Sequence, residues 1–96
     1  MEIKLGDIAT AVANKEIGDG VFNIINDALD KYDVIELDFK DVSVMTTYCG
    51  KQIFGKLYIK LGADEFFRRL KLKNVKNDIK IIVEQGILNA LDSATK

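Results

Sequence analysis

The run Val34-Ile35-Glu36-Leu37-Asp38-Phe39 constrains this chain more than any other stretch. It is β-branched and aromatic and too short for a lone helix, so it reads as a strand. On both sides of it the apolar residues recur with helical spacing. Upstream, Val21, Ile24, Ile25, Ala28 and Leu29 fall at i, i+3, i+4, i+7 and i+8, which predicts an amphipathic helix over about residues 20–31. Downstream, Cys49, Ile53, Phe54, Leu57 and Leu61 form a second stripe, and Gly62 is placed to end it as a C′ glycine. A strand between two such helices is entered and left by crossover connections, so the chain is expected to be α/β. Short crossovers of this kind are right-handed in nearly all known cases.

The flanking segments extend the pattern. Met1–Leu5 alternates apolar and polar residues and reads as a strand. Ile8–Ala13 reads as a second strand, hairpinned to the first through Gly6-Asp7. Gly18-Asp19-Gly20 looks like a break, with Asp19 the expected N-cap of the first helix. Asp41–Met45 reads as a turn and a short extended piece, and Asp64–Phe67 as a single helical turn. Arg69–Lys73 alternates strictly, as a strand with one wet face or an edge does. Asn74 or Asn77 then caps a last helix with a stripe of Ile79, Ile82, Val83, Ile87, Ala90 and Leu91, which Gly86 is expected to bend or shorten. The predicted order is β-β-α-β-α-β-α: a mixed sheet of about four strands packed with three to four helices. Residues 1–96 read as one domain, with no repeat or linker, and the absence of proline leaves turns to Gly, Asn and Asp.

Composition removes whole classes of function. The chain has no histidine, so the commonest general base, the commonest metal ligand and every imidazole triad are missing. Its single cysteine, Cys49, makes neither an internal disulfide nor a zinc thiolate cluster. No glycine-rich phosphate loop is present. These observations predict a non-enzymatic protein with no catalytic residue, no metal site and no cofactor. No run of about 18 apolar residues suggests a membrane span, and the alternating N-terminus does not resemble a signal peptide. The cytoplasm is the expected location.

Charge is uneven along the chain. Residues 1–50 carry ten acids against four lysines, a net −6, and residues 51–80 carry nine bases against three acids, a net +6. Such an asymmetry suits either two solvated faces or the orientation of a charged partner. Nucleic-acid binding through 51–80 is the alternative reading. It requires Lys56, Lys60, Arg68, Arg69, Lys71 and Lys73 on one face, with Tyr58, Phe66 or Phe67 exposed for stacking. Phe66 and Phe67 are expected in the core, which counts against it. The edge character of Arg69–Lys73 leaves a homodimer open, although its lysines discourage edge pairing.

The start of the second helix, Met45-Thr46-Thr47-Tyr48-Cys49-Gly50, gathers two hydroxyls and a phenol at a site that favours anions. Thr46 or Thr47 is the N-cap there, and a capping threonine is also open to modification. Val42 to Gly50, following the strand Val34–Phe39, resembles the strand-loop-helix of STAS domains, the sulfate-transporter and anti-sigma-factor-antagonist modules. It looks closer to the stand-alone STAS-like subfamily of unknown function found in bacteria and archaea. That subfamily's pattern is met by Asp38-Phe39, Thr47-Tyr48, Phe54-Gly55 with Leu57, and Leu70–Leu72 with Asn74, over about residues 15–92. In anti-sigma-factor antagonists a serine of an Asp-Ser-Ser-Gly motif at this helix start is phosphorylated by a histidine-kinase-like ATPase. Here Thr46 and Thr47 fall on the Asp and first Ser, Tyr48 on the usual acceptor and Cys49 on the Gly. The subfamily's Ser-Phe pattern instead places Thr47 on the serine. The resemblance implies a regulatory module that binds a protein, such as that ATPase or an anti-sigma factor. Thr46, Thr47 and Tyr48 are then the regulatory candidates, and Asp41, Gly50 and Lys51 the partner-binding ones.

Overall fold

A computed structural model of the chain describes residues 1–94. Its architecture is α/β, as the pattern predicts. The strands are β1 (Glu2–Lys4), β2 (Ala11–Val12), β3 (Ile35–Asp38), β4 (Val44–Met45) and β5 (Leu70–Lys73). The helices are α1 (Leu5–Ile8), α2 (Lys15–Lys31), α3 (47–61), α4 (Ala63–Arg69) and α5 (Asn77–Ala94). Every ladder is parallel: β3 lies between β1 and β5, and β2 and β4 form a separate pair.

The predicted hairpin between the first two strands does not form. Leu5 is fully buried at the foot of a helical turn, and the chain swings away from β1 before β2 begins. β1 instead joins β3, aligning Ile3 with Leu37, and β2 joins β4, aligning Val12 with Met45. Gly6 allows the turn to press on β3's exit, because a Cβ there would stand 2.3 Å from the Lys40 carbonyl oxygen. Gly-Asp suits a type II′ hairpin, so the local preference is overridden by the burial of Leu5 and the pairing of β2 with β4.

Three other expectations give way for tertiary reasons. The first helix begins at Lys15, capped by Asn14, whose Oδ1 accepts from the Ile17 N–H at 2.9 Å. Gly18, Asp19 and Gly20 therefore lie inside the helix, and Asp19 is not its cap. A Cβ on Gly18 would lie 2.1 Å from Gln52 Oε1 and 3.3 Å from Cys49 Sγ. The glycine is there to seat α3. Likewise Gly86 neither bends nor ends α5, which runs on to Ala94. Its missing Cβ would fall 2.4 Å from the Gly50 carbonyl carbon. Asn74 is not a cap either. It takes a left-handed backbone (φ 57°) in the turn after β5, and its side chain bonds Asp38.

Helix α3 is the middle of the structure. It packs against both α2 and α5. Cys49, Ile53, Phe54 and Leu57 are buried, and the Phe54 ring stacks on Phe39 from the end of β3 with centroids 5.9 Å apart. Where α5 crosses, α3 presents Gly50 and Gly55, and there Lys51–Gly55 widens into a π-helical turn. Gly62, at φ +82°, ends the helix as expected. Phe66 is buried below α4, but Phe67, expected in the core, is 60% exposed and meets Phe66 edge-on. Among the described residues no helix is long and apolar enough to cross a membrane.

Two helical glycines are placed oppositely. Gly20 faces open space, so Gly20→Ala should stabilise the protein by about 0.5–1 kcal/mol through helix propensity alone. Gly86→Ala should instead destabilise it by about 1–3 kcal/mol through overpacking against Gly50. Urea midpoints of the two variants against wild type check both signs.

Candidate functional site

The start of α3 is built by its connection to the second sheet pair. The Ser43 N–H donates to the Thr10 carbonyl at 2.8 Å, and the Thr46 N–H to the Val12 carbonyl at 3.1 Å. Thr46 is thereby fixed in an extended conformation, and its Oγ1 accepts the Cys49 N–H at 3.2 Å. It is the N-cap, and it is half-buried. Thr47, the first helical residue, is exposed, and Tyr48 is 57% exposed. Cys49 turns inward, and its thiol donates to the Asn14 carbonyl at 3.4 Å.

The other sequence candidates separate. Gly50 is buried, since a Cβ would stand 2.8 Å from the Ile82 carbonyl oxygen; it is a packing residue, not part of a surface. Lys51 is exposed and donates to Ser93 Oγ at 3.1 Å. Asp41 lies elsewhere, in a cleft of about 350 Å³ at the carboxyl ends of the three-stranded sheet, with Lys4, Asp7, Asp38, Lys40 and Asn74. It has a left-handed backbone, φ 68°. Asp38 is the anchor of that cleft. Only 7% exposed, its Oδ1 accepts from Asn74 Nδ2 and from the Lys40 N–H, both at 2.9 Å. The Asn74 bond first, then the Lys40 N–H, holds its carboxyl below the usual aspartate range.

A larger groove of about 660 Å³ opens beside the α3 start. From α2 it receives Lys15 and Asp19, and from α5 Ala90 and Ser93. The remainder comes from one face of α3: Tyr48, Lys51, Gln52, Lys56, Ile59 and Lys60. Gln52 is 6% exposed and joins the two helices. Its Nε2 donates to the Lys15 carbonyl at 3.3 Å and to Asp19 Oδ1, while Oε1 lies against Gly18 with no hydrogen-bond partner among the described residues. Lys15 also bonds Asp19 at 2.8 Å, which raises the lysine pKa and lowers that of the aspartate. Lys56 sits over the Phe22 ring at 5.2 Å, and Lys60 donates to Asn26.

The basic stretch is divided by the fold. Lys51, Lys56 and Lys60 reach this groove, but the arginines do not. Arg68 makes a two-pronged bond to Asp33 at 2.9 and 3.2 Å and also bonds Glu65, which lowers both carboxyl pKa values. Arg69 donates to the Asp33, Leu29 and Tyr32 carbonyls, closing the carboxyl end of α2. Lys73 reaches Glu2 and Glu36 across the sheet. Three acids of the first half, Glu2, Asp33 and Glu36, are thus paired with Arg68, Arg69 and Lys73 of the second.

The sequence model of a STAS-like domain of unknown function matches residues 18–80 of this chain. The chain belongs to that family. No curated protein and no solved structure matches it. The matched span of this STAS-like domain runs from Gly18, at the α2–α3 contact, to the first turn of α5, and so contains the whole start of α3.

Sequence reasoning reached Tyr48 and Lys51, named Lys56 and Lys60 only for the nucleic-acid alternative, and missed Lys15, Asp19, Gln52, Ile59, Ala90 and Ser93 as site residues. A signal for the α3 members was present. Tyr48, Gln52, Lys56 and Lys60 recur every four residues, one helix face beside the buried stripe.

Two outcomes follow from this geometry. Thr46→Ala should lower stability by about 1 kcal/mol through loss of the cap, whereas Thr47→Ala should change it by less than about 0.5 kcal/mol, as judged by urea unfolding. Asp38, with its folded pKa depressed, contributes stability that is fully present above the ordinary aspartate pKa of about 4 and is lost as pH falls through the lower folded value. Between about pH 5 and pH 2 wild type should therefore lose more stability than Asp38→Asn in acid titrations followed by circular dichroism.

Proposed function

We propose that this STAS-like domain is a non-catalytic regulatory module that binds a partner protein through the exposed start of α3 and the adjoining groove. The observation that carries this reading is the placement of Thr47 and Tyr48. Both are exposed on a helix start fixed by the Thr46 cap, and Tyr48 is on the rim of the groove. A rigid, exposed helix start beside a concave surface suits recognition. The family resemblance supports the same face, because anti-sigma-factor antagonists engage their histidine-kinase-like ATPase at this helix start. In that scheme Thr47, the exposed hydroxyl nearest the positive helix end, is the modifiable residue. A phosphate there adds nearly two negative charges one helical turn from Lys51 and remodels docking. Thr46 is the poorer acceptor, since its hydroxyl already holds the helix. We take the protein to act in the cytoplasm, on a partner such as that ATPase or an anti-sigma factor. The division of the basic stretch between groove and internal bonds counts against the nucleic-acid alternative.

The test is affinity capture from the native host, comparing wild type with Thr47→Glu and Tyr48→Ala. The expected result is an ATPase of that type, or an anti-sigma factor, retained by wild type and lost from both variants. A partner held equally by all three would remove the α3 start from the interface. Capture of nucleic acid alone, released by high salt, would overturn the reading.

A further inference from the structure

The groove has a composition unlike that of the chain around it. The whole protein carries a net charge of −1, yet among the described residues the groove is lined by four lysines and a single aspartate. That aspartate, Asp19, is already engaged by Lys15 and Gln52. Lys51 and Lys60 donate to neutral groups, a serine hydroxyl and an asparagine amide, while Lys56 lies over a phenyl face with Asp19 within its field. Between them the lining is apolar. Ile59 is 47% exposed, and it lies with Ala90 and the Tyr48 ring on the same concave surface.

We propose that this groove takes an acidic amphipathic helix of the partner protein, its apolar side chains on Ile59, Ala90 and Tyr48 and its carboxylates on the lysine rim. The proposal rests on the protein-binding reading above and names the chemistry of the partner. Residues 51 to 60 span about 14 Å at 1.5 Å per residue, which matches two to three turns of a docked helix. A concave surface between three helices is the geometry in which one further helix buries an apolar face. Each lysine alone would add little at an exposed site, but a hydroxyl, ring or amide exchanged for a carboxylate turns a neutral contact into an ion pair, and Lys51, Lys56 and Lys60 together select for acidic partners. Nucleic acid fits less well. Tyr48 is the one aromatic in the lining among the described residues, the rest of the floor is aliphatic, and no arginine reaches it.

The test is selection from a random peptide library displayed on phage, against the full chain, followed by titration of the synthesised winners with NMR mapping. Enrichment of Asp and Glu around apolar residues spaced i, i+3 and i+4 is expected. Shifts should centre on Tyr48, Ile59 and Ser93. Lys51→Glu/Lys60→Glu, two exposed positions whose folding circular dichroism checks, should weaken binding by about tenfold or more, while Lys71→Glu leaves it unchanged. Winners without acidic residues, shifts outside the groove, indifference to the double reversal, no winners, or displacement of the peptides by an oligonucleotide would each overturn the proposal. The native capture separates the two readings. A host partner lost by Thr47→Glu but kept by Lys51→Glu/Lys60→Glu leaves the protein-binding role standing and the acidic helix wrong.

Discussion

The close approach of α3 to its two neighbouring helices is the constraint on which the rest of this structure depends. Gly18 lets the Gln52 amide and the Cys49 thiol against α2, while Gly50, Gly55 and Gly86 bring the backbones of α3 and α5 into near contact. Side chains at these positions would hold the helices apart, and the buried stripe of Ile53, Phe54 and Leu57 would lose the packing that native interiors require. The π-helical turn at Lys51–Gly55 lies at this crossing. Such turns re-aim the side chains that follow, and here those side chains include the polar face that lines the groove.

A second dependence runs through charge. The central strand β3 is entered beside Asp33 and left at Asp38, and both carboxylates are held by residues far along the chain, Arg68 and Asn74. Because β1, β3 and β5 are parallel and in register, acidic residues from the first half stand beside basic residues from the second. Part of the uneven charge of the sequence is taken up in short ion pairs between the two halves of the chain. What remains for solvent and partners is local, and the groove beside α3 is the clearest instance.

That locality shapes the functional reading. The helix start that resembles the antagonist switch and the basic groove share Tyr48 and Lys51, so one docking event would cover both. A modification at Thr47 would alter charge at the edge of the same surface. Asp41 and Gly50 fall outside this arrangement: the first lines the cleft at the strand ends, and the second is enclosed by α5.

The long elements were legible in the sequence because their signals are local. The strand at Val34–Phe39, the three amphipathic stripes, a threonine cap at 46 or 47 and the Gly62 stop each depend on residues within a few positions of one another, where period and capping chemistry act. The family resemblance rode on those same short segments. What the sequence could not decide was anything set by atoms distant along the chain. Gly18 and Gly86 look like helix breakers until the helix each admits is in place. Gly6-Asp7 looks like a hairpin until Leu5 is buried and β2 finds β4. The basic stretch is one block in the sequence, and only the fold draws Arg68, Arg69 and Lys73 to acids more than thirty residues away. Packing and long-range pairing carry no local period, so only the tertiary structure could say which glycines are contacts, which charges are spent inside the fold, and which remain to meet a partner.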